Sequence, residues 1–258
     1  MILRRPVYYP AGGSDRFLHI YLPDDYEQTN ERYPVMYFFD GHNLFYDSSA
    51  TYGTCWGLKD FLDHWSKKMI VVGMECSHVG NERIHEYCPY AKHFFGETSS
   101  QKGIETFRWL TEEIKPMIDR DYRTWSHREA TGIGGSSMGG LMSMHGVLHY
   151  NHIFSKAACL SSGVYWNISN FRKELQAVNL NPDTRIYMAW GEKESGKAPH
   201  NGNPEFDTRE ARSTRKFEQE LLEQGVRTFV YFQKNGAHCE ADWAKQVPLF
   251  MDWLWLKP

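Results

Sequence analysis

Ser137 stands between glycines two positions away on either side, in the stretch Ile133-Gly134-Gly135-Ser136-Ser137-Met138-Gly139-Gly140. A β-branched, apolar approach through Thr131 and Ile133 leads in, and a helix-compatible run from Leu141 to His149 leads out. A serine hydroxyl is a weak nucleophile until a neighbouring base takes its proton. It must also stand clear of the backbone around it, and a sharp strand-to-helix turn achieves this. Small residues at Gly135 and Gly139 let strand and helix close up at such a corner. The amide N–H of Met138, at the start of the new helix, then faces the place where an oxyanion would develop. No lysine follows the glycines, which argues against a phosphate-binding loop, and Gly132-x-Gly134 does not continue into a dinucleotide-binding pattern.

A nucleophilic serine in this setting needs an acid and then a histidine further along the chain. His238 lies in Gly236-Ala237-His238, directly after a predicted strand at 229–232. The acid is Glu194 or Glu192, both in the loop after a predicted strand at 185–190. Its task is to hold the imidazole tautomer and to stabilise imidazolium, which either carboxylate could do. Reach favours Glu194, which lies deeper in the loop. Most of the twelve histidines must be surface or structural residues. His145 and His149 fall on the helix after Ser137, away from the expected sheet edge.

The elements that must position these groups alternate. An antiparallel hairpin is predicted over 2–9 and 16–22, then buried strands over 34–39 and 69–74 with a helix over 56–67 between them. Helices are expected over 104–119, 207–224 and 242–256, and strands over 157–160, 185–190 and 229–232. Two stretches depart from regular periodicity, 78–100 and 161–180, and read as loop or lid excursions rich in aromatic and polar residues. Residues 195–206 are rich in Gly, Pro and Asn and read as loop. Strands alternating with helices predict an α/β class with a mostly parallel central sheet, helices on both faces and an N-terminal antiparallel hairpin. With no repeat or linker, residues 1–258 read as a single domain. In such sheets ligands gather at the carboxyl ends of strands, which is where Ser137, Glu192 or Glu194, and His238 all fall.

The composition excludes several classes. A net charge of −3 gives no footprint for nucleic acid or an acidic membrane. No apolar run reaches membrane-spanning length. The five cysteines are scattered without metal-ligand spacing, so neither a disulfide framework nor a metal centre is expected. The first residues carry Arg4 and Arg5 but no apolar run behind them, which leads to the expectation of a cytoplasmic protein.

Five pieces occur in order: Asp40-Gly41-His42-Asn43-Leu44-Phe45, Arg83-x-x-Glu86-Tyr87-x-Pro89, Gly135-Ser136-Ser137-Met138-Gly139-Gly140, Gly191-x-x-Glu194 and Gly236-x-His238-x-x-x-x-Trp243. Together they resemble the Putative esterase family, which groups esterase D-like proteins with feruloyl, acetylxylan and enterochelin-type esterases and mycolyltransferases. The resemblance runs from about residue 15 onward. It implies an α/β-hydrolase fold, Ser137 as nucleophile, Glu194 as the acid and His238 as the base. It also implies an oxyanion hole formed by the amides of Met138 and His42. Trp166, Tyr87 and Asn43 are candidate substrate contacts, Trp166 because it follows Ser161-Ser162-Gly163 where a strand should reach the active edge. The expected activity is ester hydrolysis through an acyl-enzyme, on a small ester or an esterified oligosaccharide, with no cofactor or metal. Acyl transfer by the same residues and a non-catalytic binding module are the alternatives. Exposed aromatic loops would also suit a homodimer contact.

Overall fold

The structure is a computed structural model and describes residues 1–94, 96–195 and 202–257. The chain divides into two compact units, Met1–Gly132 and Ile133–Pro258.

In the first unit, strands β1 (Ile2–Tyr9) and β2 (Ser14–Tyr21) form an antiparallel hairpin, Ile2 opposite Tyr21 and Tyr9 opposite Ser14. Gly13, at φ 62, takes the left-handed conformation that closes its turn. β3 (Val35–Phe39) and β4 (Ile70–Met74) are parallel, with Val35 opposite Ile70 and Phe39 opposite Met74. Every residue of both is buried, as continuous apolar runs predict. β4 also pairs antiparallel with β2, so the strands lie in the order β1-β2-β4-β3. Helix α1 (Leu58–His64) connects β3 to β4.

The expected excursion at 78–100 contains more structure than its irregular sequence suggests. It holds a short helix, α2 (Glu82–Glu86), and a small antiparallel pair, β5 (His93–Phe94) and β6 (Glu97–Thr98). Glu86 anchors it: the carboxylate is buried, pairs with Arg16 and accepts a 2.8 Å hydrogen bond from the Ser77 amide. The helix predicted over 104–119 spans α3 (Gly103–Trp109) and α4 (Lys115–Asp121), joined by a π turn at Leu110–Ile114. Pro116 has no N–H to donate into this ladder, and the turn widens just before it.

β7 (Thr131–Ser136) leads into the second unit and is followed by α5 (Met138–His149). β8 (Lys156–Leu160), β9 (Arg185–Gly191) and β10 (Arg227–Gln233) complete the strand order β7-β8-β9-β10. β8 and β9 are parallel, as are β9 and β10. The loops after β8, β9 and β10 therefore leave from one edge. The fold class is α/β, mostly parallel with N-terminal antiparallel strands.

One expectation is overturned here. Residues 161–180 are no open excursion: Val164–Ala177 forms helix α6. Val164, Asn167, Phe171, Glu174 and Leu175 are its buried positions, a helical period written partly in polar residues. It packs on α8 (Arg209–Glu223), where Phe171 and Phe217 stack with centroids 5.6 Å apart. α7 (Pro204–Asp207) precedes α8, so a helical turn ends the stretch read as loop, of which residues 196–201 lie outside the described residues. The closing helix is also two, α9 (Glu240–Ala244) and α10 (Val247–Trp255), broken ahead of Pro248.

Candidate active site

The turn at Ser137 is strained in the way the sequence predicts. Its φ of 56° and ψ of −122° lie in a region that L-residues rarely occupy, and the conformation ends β7 and starts α5 in a single residue. The Ser137 amide is tied to Leu160 O at 2.9 Å. Glycine is required around it. A Cβ on Gly135 would lie 2.7 Å from the Gly139 carbonyl carbon, and one on Gly140 would lie 2.6 Å from Leu160 O. Ser137 and Met138 are half-buried, whereas the strand before them is wholly buried. The Met138 N–H opens the first turn of α5, where backbone donors have no partner within the helix.

Glu194 and His238 are brought together. Nδ1 of His238 lies 2.9 Å from Oε2 of Glu194. The other carboxylate oxygen, Oε1, accepts two 2.7 Å hydrogen bonds, from the Gly191 amide and from the hydroxyl of Ser161. The carboxylate is thus immobilised through both oxygens, and its side chain is largely buried while that of His238 is 46% exposed. Glu192 turns elsewhere and accepts a 2.7 Å bond from the Asn235 amide. The loops after β9 and β10 can approach only because Gly191 has no side chain: a Cβ there would sit 2.5 Å from Gly236 O. The His238 loop is fixed in turn by Asp242, whose carboxylate accepts the Ala237 amide at 2.7 Å.

Two partners were not singled out for a role by sequence reasoning. Ser161, held at φ 47, donates to Glu194 and accepts a 2.8 Å bond from the indole N–H of Trp243. The Trp243 ring also meets His238 edge to face, with centroids 4.9 Å apart. The available signal was position: Ser161 follows a strand as the other site residues do, and Trp243 closes the last of the five motif pieces.

The remaining candidates lie in the first unit, or on α6. Asp40 turns the chain after β3 in a left-handed conformation, φ 57, and its carboxylate takes two 2.7 Å bonds from Arg83. Burial would raise the pKa of Asp40, but the Arg83 charge and hydrogen bonds outweigh it and hold it low. His42 follows in a 3-10 turn, its Nε2 2.9 Å from the Thr51 hydroxyl. Burial pushes its pKa down to about 4, so the ring is neutral at pH 7. Two of the candidate substrate contacts are buried beside this turn. Tyr87 is 2% exposed, and its hydroxyl accepts from the Asp40 amide and donates to Met74 O. Asn43 is 8% exposed and accepts the Thr51 amide at 2.9 Å. Both brace this turn. Trp166 is different: it is 61% exposed on the first turn of α6, with its ring 4.6 Å from that of Tyr165.

An α/β fold with a serine on a strained strand-to-helix turn, and a carboxylate–histidine pair on neighbouring loops, is the arrangement of an α/β-hydrolase. The chain belongs to the Putative esterase family, whose profile matches residues 10–251. The Bacillus subtilis (strain 168) protein YbbA, itself uncharacterised, is 24% identical over 252 residues, covering 95% of this chain and 94% of its own. Among solved structures, the BES protein from Bacillus cereus superposes with a TM-score of 0.76 at 16% identity, covering 98% of this chain and 94% of that one. The enterobactin esterase of Shigella flexneri gives 0.72 at 16% identity, over 99% of this chain and 59% of its own. At these identities the structures establish the shared fold. All five cysteines are free thiols, and among the described residues no helix is long and apolar enough to cross a membrane.

Proposed function

We propose that this protein is a serine carboxylic-ester hydrolase in which Ser137, His238 and Glu194 form the triad. The observation that carries the reading is the bond from His238 Nδ1 to a Glu194 carboxylate that is itself held by two further hydrogen-bond partners. With Nδ1–H donating to Glu194, Nε2 is the basic nitrogen and takes the Ser137 proton as the hydroxyl attacks the ester carbonyl. The tetrahedral intermediate places its oxyanion toward the amide of Met138. Imidazolium then returns the proton to the departing alcohol, leaving an acyl-serine. Water, activated by the same imidazole, releases the acid. The reaction needs no cofactor. Substrates are small or carbohydrate-linked esters, in keeping with a family of esterases. Five unpaired cysteines, three of them buried, fit a reducing cytoplasmic setting.

The test is turnover of p-nitrophenyl acetate by the purified protein, with a serine-reactive phosphonate mapped by mass spectrometry. Steady hydrolysis and label on Ser137 are expected. Ser137→Ala should lower kcat by on the order of 10⁶, the scale seen when a serine nucleophile is removed from a triad, with the fold intact. Turnover only on adding an alcohol acceptor would make the protein an acyltransferase. A folded protein with neither label nor turnover would make it a binding module.

A further inference from the structure

Two histidines outside the triad meet a carboxylate. His145 and His149 lie one turn apart on α5, so their side chains share a face. Glu174 comes to that face from α6. Its Oε1 is 2.7 Å from Nδ1 of His145 and 3.3 Å from Nε2 of His149, and the three candidate ligand atoms all lie within 4.8 Å of one another. The imidazole rings are 4.5 Å apart and tilted by 43°. His145 and Glu174 are buried, while the side chain of His149 is 41% exposed.

We propose that His145, His149 and Glu174 form a zinc(II) site that ties α5 to α6. Zinc bonds imidazole nitrogen at about 2.0–2.1 Å and carboxylate oxygen at about 2.0–2.2 Å, so ligand atoms of a tetrahedral site lie roughly 3.3–3.5 Å apart. His149 and Glu174 are already at that spacing. His145 and Glu174 need to part by less than about an ångström, exchanging a shared proton for the metal. Two nitrogens and one oxygen suit zinc, whereas calcium and magnesium take oxygen ligands. The solvent-facing side at His149 leaves the fourth position to water. A short sequence motif does not reveal such a site, because its ligands come from two helices well separated in the chain.

The other grouping of ligand types among the described residues, Asp40, His42 and Cys76, does not support the same inference. Arg83 grips both oxygens of Asp40, and burial holds the Cys76 thiol protonated by pushing its pKa well up.

Without metal the same three residues would still serve as a hydrogen-bonded clamp between helices, and the experiment separates the two. The full-length protein is stripped with EDTA, exchanged into chelator-free buffer and titrated with zinc chloride. One zinc per chain by calorimetry and a rise in Tm are expected; at zinc 100 times Kd the folded state should gain about 100-fold. His149→Ala removes an exposed ligand at little cost in packing and should abolish the shift while leaving p-nitrophenyl acetate turnover unchanged. His145→Ala should abolish it as well. Cobalt(II) in place of zinc should show visible d–d bands and no thiolate charge transfer. The proposal is overturned by a Tm that ignores zinc, by a shift that survives both histidine variants, or by a thiolate band pointing to Cys76.

Discussion

Glu194 does three things at once: it accepts Gly191 N–H, accepts the Ser161 hydroxyl and faces His238. Glu192, two residues earlier, does none of them and caps Asn235 instead. The difference between two adjacent carboxylates is therefore one of partners, not of charge. Glu194→Gln keeps the shape but loses the charge opposite an imidazolium, and an amide can donate where the carboxylate accepts. Its kcat should fall by roughly 10⁴, the scale measured when a triad carboxylate becomes an amide. Glu192→Gln retains an oxygen for the Asn235 amide and should stay within a few-fold of the parent, by the same assay. If the two variants exchange phenotypes, the acid is Glu192 and the 2.9 Å pair with His238 is incidental. Ser161 and Trp243 sharpen the point. Neither sits in a local pattern that marks it as a support for the acid, yet their mutual bond spans the chain from the β8 loop to α9 and braces the carboxylate.

Helix α6 is the element whose character changes the argument about substrate. As a loop, 161–180 could have folded over a ligand. As a helix packed on α8, it presents Trp166 from its first turn, with the backbone fixed by Glu210, which accepts the amides of Val164 and Tyr165. An exposed tryptophan on a rigid turn is a sound platform for an aromatic or sugar moiety. Trp166→Ala should raise KM for bulky aromatic or sugar esters far more than for p-nitrophenyl acetate. Equal losses on both, or a lower Tm with unchanged kinetics, would assign the ring to packing. The sequence made the strands legible because β3, β4, β8 and β9 are buried apolar runs with turn residues at their ends. It placed Ser137, Glu194 and His238 each in the turn or loop after a strand, and β7, β9 and β10 stand ahead of them. It hid α6 because Asn167 and Glu174 occupy buried positions where periodicity looks for apolar residues. Tyr87 carries a role no local pattern encodes: it is buried, with its hydroxyl on two backbone groups remote from it in sequence. Contacts between residues remote in sequence are set by tertiary packing, and no local pattern encodes them.

At the scale of the chain, two titrating groups, one buried and one half-buried, pull stability in opposite directions. His42, in the first unit, is held neutral by burial, its pKa falling from 6.5 to about 4. Between those values the unfolded chain binds a proton that the folded one refuses, so stability is lost as pH falls through the window. Glu210, in the second unit, has its pKa raised from 4.5 to about 7, burial outweighing the hydrogen bonds from the Tyr165 and Val164 amides and from Thr214. There the folded chain holds the extra proton, so stability is lost as pH rises. Each shift corresponds to roughly 3.5 kcal/mol at most, because one pKa unit is about 1.4 kcal/mol. The two windows overlap almost completely. If residues 1–258 unfold as the single domain we propose, these slopes largely cancel, and urea denaturation should give one transition whose free energy is nearly flat between pH 4.5 and 6.5. His42→Gln should expose the Glu210 slope, with stability falling as pH rises. Glu210→Gln should expose the His42 slope, with stability rising over the same range. Should the units unfold independently, the parent protein would itself show two transitions, one strengthening and one weakening with pH. A flat profile that neither substitution tilts would mean that the two groups titrate normally in the folded protein and that their burial is not what sets their protonation.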